Sequence, residues 1–569
     1  MIKYQVNTEQ FKKHYFDICL TISKPNSNGI RLSLPTWIAG SYLIRDFAKH
    51  IVSIKATENN KPLNITQLDK NHWQIEPCRN EVNIYYQVYA FDCSVRSAFL
   101  DENRGFFNGS ALLLSVDGEH NNTHQIEVKP QEGWQIYTTL TKIKKNLFEA
   151  ETYEELIDCP VEMSKANCLD FKVNNIPHSL VLSGKHTIDD KRIIKDLIKI
   201  CKHHHSFFGD SPFKKYLFLL LVTHNNYGGL EHSNSTSLIC ARDDLPQKHI
   251  KNITPEYTRL LGLLSHEYFH AWWVKKIKPK VFHNPNFNKE VYTEQLWIFE
   301  GWTSYYDELT LLRTKLLSLE EYLKLFGETI TRVQQTLGRH NQSLVNSSFE
   351  TWTKFYQQNE NSINSGVSYY SKGALLAFVL DIQIREKTND KLSLDDVLHH
   401  LWENYQDGLE DNTAQKVISE LTNNNFDNFF KKYLYGTEDL PLKESFAYLG
   451  LDLTFVKPKT QKNTLGIFSK EEQGFIKITS VLHNSPAELS GLSVNDLIIA
   501  IDDIKVDFSQ LEKTLNRYES GTKIVITVFR DNELRTFRAK LTTASKNICK
   551  ISYLENISEK QKEHLNNWV

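Results

Sequence analysis

The hydrophobic period of this chain changes twice along its length, which requires several bodies of different class rather than one uniform fold. Up to about residue 165 the apolar residues alternate or form short β-branched runs. DICLTISK, IRLSLPTW, EVNIYYQVYAFD, SALLLSV and HQIEVKP are examples, split by Gly, Pro and Asn turns. An all-β domain of sandwich type is expected there. From about 190 to 450 apolar residues recur at three and four, as in PEYTRLLGLLSHEYFHAWWVKKIK, EGWTSYYDELTLLRTKLL and KGALLAFVLDIQIREKT. Buried helices are expected, with one strand-like interruption at YLFLLLVTHNN and STSLICA. Near 455 a strand, short helix, strand, strand pattern follows, and SEKQKEHLNNWV closes as a short helix. The expected class is multidomain α+β. Its parts are an N-terminal β domain at 1–165, a mostly helical body at 166–455, a small β module at 456–545 and a tail helix at 546–569.

Charge excludes some partners. Lys plus Arg (67) nearly balance Asp plus Glu (69), for a net charge of −2, so nothing draws the whole chain to nucleic acid or anionic membrane. The eight cysteines are scattered without a C-x-x-C pair, as suits free thiols in a reducing compartment. The start has no apolar signal-peptide core, and no run reaches 18 apolar residues. A soluble cytoplasmic protein is expected.

The chemistry concentrates in SHEYFHAWWV, residues 265–274. On a helix His266 and His270 share one face a turn apart, and Glu267 turns toward the side where a reacting water would lie. H-E-x-x-H is the helical signature of a catalytic zinc with three protein ligands. Two histidines that merely share a helix face are the plain alternative. Against it stands the apolar setting, LLGLLSHEYFHAWW, where three polar groups are costly to bury unpaired. A third ligand is available in TEQLWIFEGWTSYYDEL: Glu300 sits among aromatic and aliphatic residues, whereas Glu290 and Glu294 lie in a more polar approach. His266, His270 and Glu300 are therefore expected to hold one zinc ion, with Glu267 as the base.

These motifs resemble the gluzincins, thermolysin-like peptidases whose third zinc ligand is a Glu on a following helix. YGGLEHSNS (227–235) is similar to the amine-binding element of zinc aminopeptidases, and YYSKGALLAFVLD (369–381) to their Tyr-x-Lys-Gly element. TWIAGSYLIRDFAKHI, RGFFNGSALLLS and a C-terminal PDZ-like segment narrow the resemblance to the glycyl aminopeptidase family of PDZ-containing gluzincins. It extends over nearly the whole chain. Two departures from the alanyl branch stand out: a longer spacer between His270 and Glu300, containing KIKPKVFHNPNFNKE, and His232 after Glu231 where that branch has Asn.

The resemblance implies a thermolysin-like catalytic domain and an aminopeptidase that releases small N-terminal residues, glycine and alanine. Glu231, on the Gly228–Gly229 element, would bind the substrate's α-ammonium. Tyr370 would donate to the oxyanion, with adjacent Tyr369 as the alternative donor. In the PDZ-like segment, Leu465, Gly466 and Ile467 of TLGIF resemble a carboxylate-binding loop for peptide C-termini; an internal packing module is the other reading. Arg45 and Asn108 are further candidates near the cleft. The histidines of CKHHHSFFG (203–205) point about 100° apart, so a solvated or capping role is expected for them. Two rivals to the aminopeptidase stay open: an endopeptidase of the same fold, and a peptide-binding scaffold with a vestigial zinc site.

Overall fold

The computed structural model describes residues 2–569. It divides into two compact units, Met1–Val291 with Trp402–Glu410, and Tyr292–Leu401 with Asp411–Val569.

The first unit opens with an eight-stranded sheet. Its order is Thr141–Lys144, Leu147–Ala150, His124–Lys129, Ile2–Gln10, Tyr15–Ile22, Val82–Tyr89, Ile51–Glu58, Lys61–Leu63. The alternation read from sequence is the alternation of burial: Ile2, Tyr4 and Val6 point inward, as do Ile18, Leu20 and Ile22 on the next strand. Two four-stranded sheets complete the domain. Their Leu32, Trp73, Phe107 and Met163 share one apolar core with the large sheet, as in a sandwich.

A five-stranded sheet follows, in the order Asn167–Val173, Ile176–Ser183, Tyr216–Thr223, Ser235–Ala241, Gly228–Glu231. Its three middle strands are parallel. Ser235–Ala241 is buried throughout, as a strand covered on both faces must be. Leu230 and Ile239 join the core of the β domain, which ties this sheet's outer edge to it. The sheet is larger than the single interruption expected. The first hairpin turns at Asn174–Asn175, both at positive φ (+48° and +65°), a two-residue loop whose twist suits a hairpin.

In the second unit, the helix Ser371–Thr388 is buried almost all round and packs against Gly301–Arg313. Strand Leu451–Val456 pairs with Ile548–Tyr553 beside the helix Leu319–Gln335. The terminal helix Glu559–Trp568 forms as expected, but it is an anchor rather than a tail. Trp568 is fully buried, and its indole N–H donates to the Tyr305 hydroxyl at 2.8 Å. The PDZ-like module is a sheet ordered Ile467–Glu472, Phe475–Val481, Leu497–Ile501, Lys523–Arg530, Glu533–Lys540, with its own apolar core. The fold is thus a mixed α+β multidomain one. All eight cysteines are free. Among the described residues no helix is long and apolar enough to cross a membrane.

Candidate active site and metal centre

The H-E-x-x-H helix spans Pro255–Phe269. It starts on Thr254, whose side chain accepts from the Tyr257 N–H, with Pro255 at the first position. Leu260, Leu261 and Leu264 are buried along it. The sequence reads as helix through residue 278, yet the structure stops at Phe269. His270 closes the helix, its N–H donating to the His266 carbonyl at 3.3 Å. No Gly or Pro marks this stop. The Val274 N–H instead donates to the Ile277 carbonyl (2.6 Å), which holds Val274 at φ +96°, a conformation that β-branched residues seldom adopt.

The two histidine rings stand edge to face, 4.6 Å between centroids. His270 Nδ1 donates to the Trp273 carbonyl at 3.1 Å, which sets the tautomer in which Nε2 carries the lone pair. Each of His266, His270 and Glu300 offers one donor atom, and the three atoms lie within 4.8 Å of one another. Donors on one tetrahedral zinc stand roughly 3.3 Å apart, given bonds of about 2 Å. The set therefore fits such an ion after small side-chain rotations, and three protein donors leave a fourth position open. His270 and Glu300 are buried.

Behind this helix lies a correction. His204 and His205 are not solvated but buried. The helix Asp190–Phe208 packs on Pro255–Phe269, placing His204 Nε2 3.1 Å from Ser265 Oγ and His205 Nε2 2.8 Å from the Tyr268 hydroxyl. His178 Nε2 reaches the same hydroxyl at 2.8 Å. Burial pushes His178 down to about 4 and lowers His204 and His205 as well, so these imidazoles are neutral supports for the helix.

Glu300 lies at the junction of Leu296–Phe299 and Gly301–Arg313. A Cβ on Gly301 would stand 2.8 Å from Gly373 Cα and 2.9 Å from the Tyr369 carbonyl oxygen, so the two backbones touch. This crossing sets Glu300 beside the start of the helix Ser371–Thr388, where Tyr369 and Tyr370 precede it. The tyrosines differ. Tyr369 is fully buried, its hydroxyl 2.9 Å from Thr351 Oγ1, and burial raises its pKa, with Tyr356 and Glu300 adding to the rise. Tyr370 is only half-buried.

Glu231 ends the edge strand Gly228–Glu231, which runs antiparallel to Ser235–Ala241. Residues two apart on a strand face the same side, so Gly229 and Glu231 share a face. A Cβ on Gly229 would meet Glu267 Oε1 at 2.1 Å. The strand therefore passes directly over the Glu267 carboxylate, which is possible only with glycine. Glu231 is itself buried, and Gly40 of the β domain lies against its carboxylate.

Sequence reasoning missed the support around Glu231. Lys275 Nζ lies 2.6 Å from Asp158 Oδ1; the Ser233 N–H donates to Asp158 Oδ2 at 3.0 Å, and His232 Nδ1 lies 3.4 Å from Oδ1. Burial alone would raise the Asp158 carboxyl, but Lys275 and His232 hold it well below the usual range. Burial alone would lower the Lys275 ammonium, but Asp158 and then Glu231 hold it above its ordinary value. His232 thus belongs to this network. Asn108 is fully buried and donates to the Val95 carbonyl, and Arg45 donates to Ser41 Oγ at 2.7 Å; neither lines the cavity beside Glu231.

In the PDZ-like module Leu465 is buried, its carbonyl accepting from the Ala487 N–H, and the Gly466 carbonyl accepts from the Leu482 N–H. Gly466 has φ +73°. Ile467 begins the strand at the sheet's edge.

A His-Glu-x-x-His turn with a third, carboxylate donor is the signature of a zinc metallopeptidase. Residues 3–165 match the Peptidase M61 N-terminal domain, 259–376 the M61 glycyl aminopeptidase, and 463–541 the PDZ domain. The chain is 38% identical to an aminopeptidase N family protein from Idiomarina loihiensis, covering 100% of both chains with a TM-score of 0.96. It therefore belongs to the M61 glycyl aminopeptidase family. An M1 zinc metallopeptidase from Deinococcus radiodurans is 11% identical (74% of this chain, 89% of that one, TM-score 0.44). Yeast LTA4 hydrolase is 12% identical (77% and 68%, TM-score 0.46). No curated protein matches.

Proposed function

We propose that this zinc aminopeptidase removes single residues from peptide N-termini, with one zinc per chain held by His266, His270 and Glu300. When bound, the zinc supplies Lewis-acid chemistry, polarising a carbonyl and lowering the pKa of water. Glu267 takes the proton of the attacking water and passes it to the leaving amine nitrogen. Tyr370 donates its hydroxyl to the developing oxyanion, a role for which its partial exposure suits it better than buried Tyr369. Glu231 accepts hydrogen bonds from the substrate's α-ammonium.

The carrying observation is the position of Glu231 two residues along the strand from Gly229, whose Cα abuts the Glu267 carboxylate. In a substrate only one Cα separates the α-nitrogen from the first carbonyl, about 2.5 Å. An amine anchor must therefore stand next to the base, and one strand repeat, roughly 6.6 Å, leaves room for that unit between them. N-terminal glycine and alanine are the proposed preferred substrates, on the strength of the family likeness. The PDZ domain is proposed to take peptide C-termini at Leu465, Gly466 and Ile467, where the edge strand and its positive-φ glycine support strand addition. The free cysteines support a cytoplasmic location.

The test compares an alanyl peptide with its N-acetylated form. The free peptide should be cleaved at least 100-fold faster, and Glu231→Ala should erase most of that difference. Equal cleavage of the two forms by the wild type would remove Glu231 as the anchor and leave an endopeptidase.

A further inference from the structure

A cavity of about 350 Å³ opens beside the Glu231 carboxylate. Two stretches that are far apart in sequence wall it. Trp37 and Tyr42 come from the TWIAGSY loop of the β domain, and Phe282 and Phe287 come from the segment after the H-E-x-x-H helix, whose length is a departure from the alanyl branch. The four rings meet in pairs: Trp37 with Phe287 at 5.1 Å and Tyr42 with Phe282 at 5.8 Å between centroids. Backbone links hold the two stretches together. The Thr36 N–H donates to the Phe287 carbonyl at 2.8 Å, and the Trp37 indole N–H to the Asn286 carbonyl at 3.1 Å. The longer spacer thus builds one wall of this cavity.

The charges lining the cavity are largely satisfied within the protein. Asp158 and Lys275 neutralise each other at 2.6 Å, and Lys278 faces Glu154 at 3.8 Å. Glu231 is the group that the proposed function commits to the substrate. The remaining lining acid, Glu155, accepts from the Glu151 N–H at 2.7 Å, so a ligand held at Glu231 by its α-ammonium meets aromatic walls and acids already engaged within the protein, which favours neutral, apolar groups.

We infer that this cavity receives the side chain of the substrate's N-terminal residue, and that it admits leucine- and phenylalanine-sized groups as well as glycine and alanine. The inference rests on the aminopeptidase function proposed above. Glycine places nothing in such a space, so a steric gate cannot be what favours small residues in this chain. Ala39, between the walls and next to Gly40, lines the same cavity and is the position from which it can be filled.

The test measures kcat/KM of the zinc-loaded full chain on glycine, alanine, leucine and phenylalanine p-nitroanilides, which share one leaving group. Leucine and phenylalanine should be hydrolysed within about tenfold of glycine. Ala39→Leu, filling the cavity, should lower the leucine-to-glycine and phenylalanine-to-glycine ratios by about tenfold or more. Wild-type enzyme that is more than tenfold slower on both large residues than on glycine would overturn the inference while leaving the aminopeptidase intact. So would a folded Ala39→Leu protein with unchanged ratios. No hydrolysis of any of the four would overturn the function on which it rests.

Discussion

Gly40 leaves vacant the space that the Glu231 carboxylate occupies. With Gly40 at φ +85°, a Cβ there would stand 2.3 Å from Glu231 Oε1 and 2.6 Å from Cδ. A residue of the β domain therefore shapes the position of the Glu231 carboxylate, the proposed amine anchor, on the five-stranded sheet.

Gly40→Ala should displace the Glu231 carboxylate and add left-handed backbone strain of about 1–2 kcal/mol. The expected result is a KM for alanine p-nitroanilide raised about tenfold or more, with a smaller change in kcat. Steady-state kinetics checks this; an unchanged KM would mean that the carboxylate tolerates the methyl group where it stands.

Gly229→Ala tests the neighbouring approach. Its Cβ would lie 2.1 Å from Glu267 Oε1 and 2.4 Å from Cδ, so Glu267, the proposed base, must move. A kcat reduced by about 10²-fold or more is expected, with zinc content unchanged when metal analysis is run on the same preparation.

The paired tyrosines should separate cleanly. Tyr370→Phe removes the proposed oxyanion donor and should lower kcat by about 10²–10³. Tyr369→Phe strips Thr351 of its hydroxyl partner, so it should cost about 1 kcal/mol of stability and change kcat only a few-fold. The reverse pattern would assign the donor to Tyr369.

The histidines behind the catalytic helix make stability depend on pH. His178 takes its proton near 6.5 in the unfolded chain but near 4 when folded. As pH falls through that window the unfolded state binds more protons, so stability falls with it, by up to about 3 kcal/mol, of which about 2 kcal/mol is gone by pH 5. His204 and His205 act in the same direction. Denaturant midpoints at pH 7 and pH 5 should show the loss, and His178→Leu should reduce the difference between them.

The metal-binding motif was legible because its signal is local. His266, Glu267 and His270 share one helical turn, and Glu300 is conspicuous as an acid among aromatic residues. The burial of His204 and His205 was not, because three consecutive histidines look polar until the helix Asp190–Phe208 is laid on Pro255–Phe269. Neither was the end of the catalytic helix at Phe269, which depends on the Val274–Ile277 pairing and not on a breaker residue. The contact of Gly40 with Glu231 and the Asp158–Lys275 pair, 117 residues apart, exist only once the β domain and the five-stranded sheet share a core. The hairpins at Asn174–Asn175 and Asp531–Asn532, each a two-residue turn at positive φ, did offer usable turn signals in the sequence.

The measurement that tests the central claim most directly follows alanine p-nitroanilide hydrolysis through removal and return of zinc, with bound metal quantified at each step. Activity should vanish with the metal and return in proportion to zinc, saturating at about one ion per chain. Full activity in protein shown to be metal-free would contradict a zinc aminopeptidase built on His266, His270 and Glu300.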